Sequence, residues 1–342
     1  MIQMVESPYA YVRITVMRSL LIPSAQYPKL MKMGLSEISH YLGETQYRKE
    51  VTEMGLTYSG IALIEKALLQ NFIHTIMKLK RISPESFTPF IDHYLLKYDI
   101  LNLKTIIRAK MAHIPTEETM RILQPAGIIR EDMAKSLLGM GDVDEIIKSL
   151  PDTLKRYGKY YASLKNKSLF EIENSLDRFC YDELLSFTSC VPIQGEHYKQ
   201  FLLTSIHISN LLTFFRLKKA GMSSSQIQER LFFTKDDIEN MLYRRLLRAS
   251  DEAIPEILAT SHYRHIFKNL PTMKSLIPLE IQLYNHLMKK ALRFQHQNPL
   301  SVYSILSFLF AKEMEIANIR KIVQAKHLGV AMEKVEPQLV II

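Results

Sequence analysis

Glu315-Ile-Ala-Asn318-Ile-Arg-Lys-Ile-Val-Gln324-Ala-Lys326, running on through His327-Leu-Gly329, is one of three related stretches in this chain. The second is His207-Ile-Ser-Asn210-Leu-Leu-Thr-Phe-Phe-Arg216-Leu-Lys218, continuing to Ala220-Gly221, and the first is Asp99-Ile-Leu-Asn102-Leu-Lys-Thr-Ile-Ile-Arg108-Ala-Lys110. Asn102, Asn210 and Asn318 stand 108 positions apart. Each copy surrounds its Asn with apolar residues at helical spacing, then places a long polar side chain six positions on and a Lys eight positions on. Asn inside a helix is less favourable than Ala by several tenths of a kcal/mol. Its recurrence at one register therefore predicts a local structural job, such as bonding a neighbouring helix end.

The register extends upstream of these helices. Thirty-seven residues before the Asn in the first two copies, and thirty-eight in the third, an acid with Leu three positions on recurs as Ile64-Glu65-Lys-Ala-Leu68, Ile172-Glu173-Asn-Ser-Leu176 and Leu279-Glu280-Ile-Gln-Leu283. Farther upstream, Leu42-Gly-Glu-Thr45-Gln-Tyr47, Leu150-Pro-Asp-Thr153 and Leu258-Ala-Thr-Ser261-His-Tyr263 keep the 108-residue spacing, as do Ile38, Ile146 and Ile254. The N-terminal Tyr9-Ala-Tyr-Val12-Arg-Ile-Thr-Val-Met-Arg18 reads as a further, diverged copy of the Asn helix, with Val12 in place of Asn. A period this long exceeds the ~34 to 47 residues of common helical solenoid units. Each copy is thus expected to hold several helices and a small core, over residues 1–117, 118–226 and 227–342. Three such units can close about a pseudo-three-fold axis, and an open arch satisfies the same repeat.

The rest of the chain reads as all-α. Apolar residues return at three and four positions, only 11 of 342 residues are Gly, and sustained alternation between hairpin turns is missing. Helix starts are signalled at Ser36-Glu37, Ser83-Pro84-Glu85, Pro115 to Glu118, Ser223 to Ser225, Thr234-Lys-Asp-Asp237 and Asn298-Pro299. A helix predicted over Leu300 to Lys326 is apolar nearly all round in its first half and should be buried on several sides, on the order of 40 Å long. The longest apolar runs, such as Tyr303 to Ala311, stop short of the ~18 residues a membrane span needs. The N-terminus carries no basic segment ahead of an apolar one, so the expectation is a chain neither secreted nor membrane-spanning.

Composition narrows the chemistry. Formal charge is +9, from 44 basic and 35 acidic residues, which favours anionic partners without choosing among nucleic acid, lipid headgroups and acidic proteins. The densest groups, Lys78-Leu-Lys80-Arg81, Arg216-Leu-Lys218-Lys219 and Arg244-Arg245-Leu-Leu-Arg248, are interrupted by apolar residues and read as solvated edges of amphipathic helices. Cys180 and Cys190 form neither a disulfide framework nor a zinc signature, which suits a reducing compartment. Nucleotide-binding, hydrolase and metalloprotease motifs are missing. His262 and His265 share one helical face without an acid or Cys nearby in sequence, and read as surface or cap residues rather than metal ligands. Glu313 and Glu315, two apart, point to different sides of a helix and read as solvated charges or packing partners rather than an acid/base couple. The sequence therefore predicts a non-catalytic chain with no catalytic, cofactor-binding or metal-binding residues.

Several of these segments carry a resemblance. Tyr9 to Arg18, the Asp99 to Lys110 strip, Glu173-Asn-Ser-Leu-Asp-Arg178 and the C-terminal Lys312-Glu-Met-Glu-Ile-Ala-Asn-Ile-Arg320 with Leu339-Val-Ile-Ile342 resemble the C subunit of archaeal and bacterial A/V-type ATPases, the counterpart of the d subunit in vacuolar ATPases. The resemblance spans essentially the whole chain, and its specific part is the C-terminal segment. It implies a funnel of three helical domains without an active site. Such a funnel sits peripherally on the cytoplasmic face of the membrane, on the rotor ring of proteolipid subunits, and receives the foot of the central stalk. It further implies that ATP synthesis or hydrolysis is coupled to proton or sodium transport through this rotor, beside an anionic membrane surface, with no cofactor and no nucleic acid. Gln324 in place of the repeated Arg, and Val12 in place of Asn, depart from strict symmetry. The alternative from the residues alone is a basic all-helical nucleic-acid-binding protein, although aromatic platforms interleaved with basic residues are not evident.

Overall fold

In the computed structural model, residues 6–150, 152–155, 157–158, 168–191, 194–234, 237–268 and 275–340 are described. Pro151, Lys235, Asp236, Ile341 and Ile342, which figure in the sequence matches above, lie outside them, as does the side chain of Thr153. The described residues are helices, 3-10 turns and connecting loops, with no strand. None of the helices is long and apolar enough to cross a membrane.

The helices recur in order. The first six are α1 (Pro8–Ser19), α2 (Tyr27–Lys32), α3 (Leu35–Gly43), α4 (Arg48–Met54), α5 (Gly60–Ile82) and α6 (Thr88–Met111). Then come α7 (Thr116–Ile122), α8 (Glu131–Gly139), α9 (Val143–Lys148), α10 (Asp152–Lys155), α11 (Leu169–Ser189) and α12 (Gln194–Lys219). The last are α13 (Ser224–Gln228), α14 (Asp237–Arg248), α15 (Ile254–Ala259), α16 (Arg264–Phe267), α17 (Ile277–Gln297) and α18 (Tyr303–His327). Among the described residues, four short helices precede two long ones in every set. The long last helices, α6, α12 and α18, carry the three Asn residues.

Capping chemistry sets several of these starts. Ser7 accepts from Ala10 N to open α1, Ser223 accepts from Gln226 N to open α13, and Ser168 forms a reciprocal capping box with Glu171 on α11. At α3 the cap is Gly34, whose N–H donates to Glu37, so the helix begins one residue ahead of the Ser36 signal. The predicted helix over Leu300 to Lys326 forms over Tyr303–His327, and every residue from Tyr303 to Phe310 is buried.

The register corrects one expectation. α1, α7 and α13 begin at residues 8, 116 and 224, again 108 apart, and a 3-10 turn at Met332–Lys334 starts 108 later. α1 is therefore a copy of the short helix that follows each Asn helix, not of the Asn helix itself. Val12 is accordingly exposed, whereas the three Asn residues are buried.

Packing groups the chain into two units, Met1–Ala10 with Leu69–Glu196, and Tyr11–Leu68 with His197–Ile342. In the first, α6 lies along α11 and meets α7, α8 and α9, burying Phe90, Ile91, Leu103 and Ile107 with Leu176 and Phe179. In the second, α17 lies along α18, with Leu279, Leu283 and Met288 buried beside Ile305, Leu309 and Ile319. Each fully buried side chain of this size contributes about 1.5 to 3 kcal/mol.

Candidate functional site

The Asn side chains do one job three times. Asn102 Nδ2 donates to Gln124 O at 2.8 Å while Gln124 N donates to Asn102 Oδ1 at 2.8 Å. Asn210 forms the same pair with Phe232, at 2.8 and 3.0 Å, and Asn318 with Val340, at 2.8 and 3.0 Å. The partner stands 22 residues on in each case. A carboxamide mimics a peptide group, so it satisfies both polar groups of a backbone segment outside regular structure. The segment is a loop rather than the helix end expected from sequence. The third loop belongs to the C-terminal Leu339-Val340, the most specific part of the resemblance.

Six positions beyond Asn, the long polar side chain meets the repeated acid. Arg108 holds Glu173 through two bonds, the Nη2 one at 2.7 Å, and Arg216 Nη2 donates to Glu280 Oε2 at 2.7 Å. Gln324 Nε2 donates to Glu65 Oε1 at 2.9 Å. The departure to Gln thus keeps the contact and drops the charge. Both sets of residues stand out in the sequence, but nothing there signals that they meet, because the pairs are 64, 65 and 259 residues apart. Eight positions beyond Asn the pattern weakens. Lys218 reaches Asp251 at 3.0 Å and Lys326 reaches Met31 O at 2.7 Å, while Lys110 makes no ion pair or hydrogen bond among the described residues.

Three positions before Asn lie Asp99, His207 and Glu315, all buried. Glu315 sits in a charged cluster. Its Oε1 accepts from Tyr47 Oη at 2.6 Å, Lys312 Nζ at 2.9 Å and Gln46 Nε2 at 3.1 Å, and Oε2 accepts from Ile22 N. Lys312 also donates to Tyr47 Oη at 2.8 Å and lies 4.0 Å from that ring's centre. Burial holds the Lys312 ammonium below its ordinary range, opposed by Glu315, and burial with Glu315 drives the Tyr47 hydroxyl well up. Among the described residues Asp99 has only backbone hydrogen-bond donors, with Ile129 N at 2.8 Å from Oδ1, and Gly127 packs so closely that a β-carbon there would collide with the carboxylate. Burial raises this carboxyl to about 6, the N–H groups of Ile129 and Ile128 opposing. Sequence reasoning missed this cluster. The available signal was Lys312 and Glu315, three apart and directly after the half of the helix that is apolar nearly all round.

The remaining candidates scatter. His262 lies in the turn ahead of α16, so it does not share a helix face with His265. His265 Nε2 instead stands 3.3 Å from His286 Nδ1, and burial, then His265 and the basic neighbours of α17, lower His286 to about 4. Among the described residues no three His, Cys, Asp or Glu side chains form a metal-binding group. Cys180 is buried and its thiol is pushed up to about 12, the opposite of an activated nucleophile, while Cys190 is exposed. Glu315 is a packing partner in the cluster just described.

Among the described residues, the repeated Asn amides fasten loops and the repeated acids and the Glu315 cluster join helix to helix, which is the internal bonding of a structural scaffold. The family model described as ATP synthase (C/AC39) subunit matches residues 10–338. The chain is 35% identical to the C subunit of the A-type ATP synthase of Methanococcoides burtonii, covering 98% of this chain and 95% of that protein. It is 31% identical to the protein of the same name from Methanosarcina mazei, over 98% and 92%, and 29% identical to that from Archaeoglobus fulgidus, over 98% and 96%. The chain belongs to the ATP synthase (C/AC39) subunit family. Its function is that of a non-catalytic rotor subunit that couples ATP synthesis or hydrolysis to ion transport, and it is not an enzyme.

Proposed function

We propose that three helical repeats, with boundaries near residues 117 and 226, close about a pseudo-three-fold axis into a funnel. One end rests on the membrane rotor ring at the cytoplasmic face, and the other receives the central stalk. One observation carries this reading. The contact from each Asn helix passes to the acid of the following copy, Arg108 to Glu173 and Arg216 to Glu280, and the third, Gln324 to Glu65, returns to the first copy. An open arch gives its last copy no following acid to bond.

A rotor that joins a wide ring to a narrower shaft must transmit torque without bending. Long helices packed along their length, with loops fastened by buried Asn amides, supply that stiffness. The +9 charge favours a seat beside anionic headgroups, at about 1 kcal/mol per Lys or Arg near the surface, weakened by salt. Co-sedimentation of the purified chain with detergent-solubilised ring and, separately, with central-stalk subunits tests the role. Binding to both is expected, with the ring complex weakening as salt rises. Binding to neither would remove the reading, and ring binding indifferent to salt would remove its electrostatic part.

A further inference from the structure

The chain starts the same short element four times, at residues 8, 116, 224 and 332, but has three Asn helices. The residues taken up by the Asn amides, Gln124, Phe232 and Val340, share one register, and the same register in α1 is Val16. No Asn is left for it, because Asn318 is already bonded to Val340 in the C-terminal segment. α1 is the surplus copy. It is also the longest, with 12 residues against 7 in α7 and 5 in α13.

A surface helix normally carries one apolar stripe, and α1 carries two. At roughly 100° per residue, Ala10, Ile14 and Met17 fall within an arc of about 60°, and all three are buried. Tyr9, Val12 and Val16, with Leu20 in the turn that follows, fall within about 80° on another side, and these are 52% to 61% exposed. Their spacing of three, four and four is that of a helix-to-helix seam. A seam narrower than about 100° suits one partner helix better than a lipid surface. Arg13 stands beside the seam, and α1 contains no acidic residue.

We infer that α1 is a docking helix whose Tyr9, Val12, Val16 and Leu20 seam receives one amphipathic α-helix with acidic residues flanking its own apolar edge. The inference rests on the coupling role proposed above, within which that helix belongs to the central stalk. The third Asn helix is fastened by the C-terminal segment, so α1 is free to serve a partner.

The test uses the full chain with Val12→Asp and Val16→Asp together, compared with wild type for binding to stalk subunits and to the solubilised ring. Stalk affinity is expected to fall by at least about tenfold with ring affinity unchanged. Arg13→Glu alone is expected to weaken stalk binding about threefold at low salt and less at high salt. Unchanged stalk binding by the double variant overturns the inference while leaving the coupling role standing. Failure of wild type to bind either preparation removes both. A wild-type dimer that the double substitution dissociates assigns the seam to a second copy and also overturns it. Should the double variant lose its helical signal, Val16→Cys in a Cys190→Ser background, labelled with a photo-crosslinker, replaces it. Crosslinks to stalk protein are expected, and crosslinks only to the ring, or none, overturn the assignment.

Discussion

Asp99 and Glu315 occupy the same place in two copies of one helix, and the chain solves the burial of a carboxylate differently at each. Around Glu315 it supplies a cation, a phenol, a carboxamide and a backbone N–H. Around Asp99 it supplies backbone N–H groups, and the place of Lys312 is taken by the buried Leu96. One carboxylate is neutralised by an ion pair, while the other is left to hold its proton to about pH 6. The Glu315 cluster joins α18 to Tyr47 and Ile22, which are 268 and 293 residues away in sequence. Asp99 fastens a loop 30 residues on. A long-range junction receives the strong, fully bonded solution, and a local one receives the lighter solution.

The largest expected effect tests the heavier site. Lys312→Met leaves Glu315 buried without its cation and is expected to destabilise by about 3 to 5 kcal/mol, read as a shift in denaturant midpoint. Adding Glu315→Gln removes the stranded charge and should recover more than half of the loss. A single variant as stable as wild type would show that the cluster is not held by its charges.

The lighter site is broken by pH. The Asp99 carboxyl keeps its proton to about 6 in the folded chain and gives it up near 3.8 when unfolded. Between those values the folded state binds more protons, so the contribution of this group to stability falls as pH rises through that window. The loss is about 3 kcal/mol at 1.36 kcal/mol per unit. Asp99→Asn should flatten the unfolding free energy between pH 4 and 7, and a slope identical to wild type would refute the assignment. The loop contact common to all copies comes next. Asn210→Leu should cost about 1 to 3 kcal/mol by leaving both backbone groups of Phe232 unpaired, and an unchanged melting midpoint would remove that role. Arg216→Met breaks a half-exposed pair with Glu280 and should cost less than about 1 kcal/mol, falling further in high salt.

The comparison also shows what sequence can carry. Asn102, Asn210 and Asn318 stand out because Asn is unfavourable inside a helix, and a repeated unfavourable choice is visible without a structure. Glu65 and Glu173 share one register and Glu280 stands one position away from it, and the all-α reading follows from apolar periodicity. The partners are not visible, since Gln124, Phe232 and Val340 lie in loops and are used through their backbones, to which any residue type is equivalent. α1 is misread for a related reason. Its second apolar stripe imitates the pattern of a helix buried on two sides, so the sequence suggests an Asn helix where the structure has a short connecting one. The difference between Asp99 and Glu315 is hidden because it is decided by residues such as Leu96 and Tyr47, one beside the carboxylate in sequence and the other far from it.

The smallest effect sharpens the comparison at the far end of the same helices. α6, α12 and α18 each end in a left-handed residue, His113, Gly221 and Gly329, with φ of 53°, 76° and 66°, again 108 apart. In each, the following N–H closes the helix on a carbonyl five residues back, from Ile114 to Ala109, Met222 to Leu217 and Val330 to Ala325. Two copies use Gly, which takes this conformation without a β-carbon penalty, and the first uses His, which does not. His113→Gly relieves that strain but enlarges the freedom of the unfolded chain, and the two effects oppose. Since the left-handed penalty for a residue with a β-carbon is about 1 to 2 kcal/mol and the entropic cost of Gly about 0.5 to 1, the net should be a gain of roughly 0.5 kcal/mol. A small rise in melting midpoint would show that the copy carrying Asp99 is also the one with the strained cap. A fall would mean that the His113 side chain contributes more to this turn than its backbone strain removes.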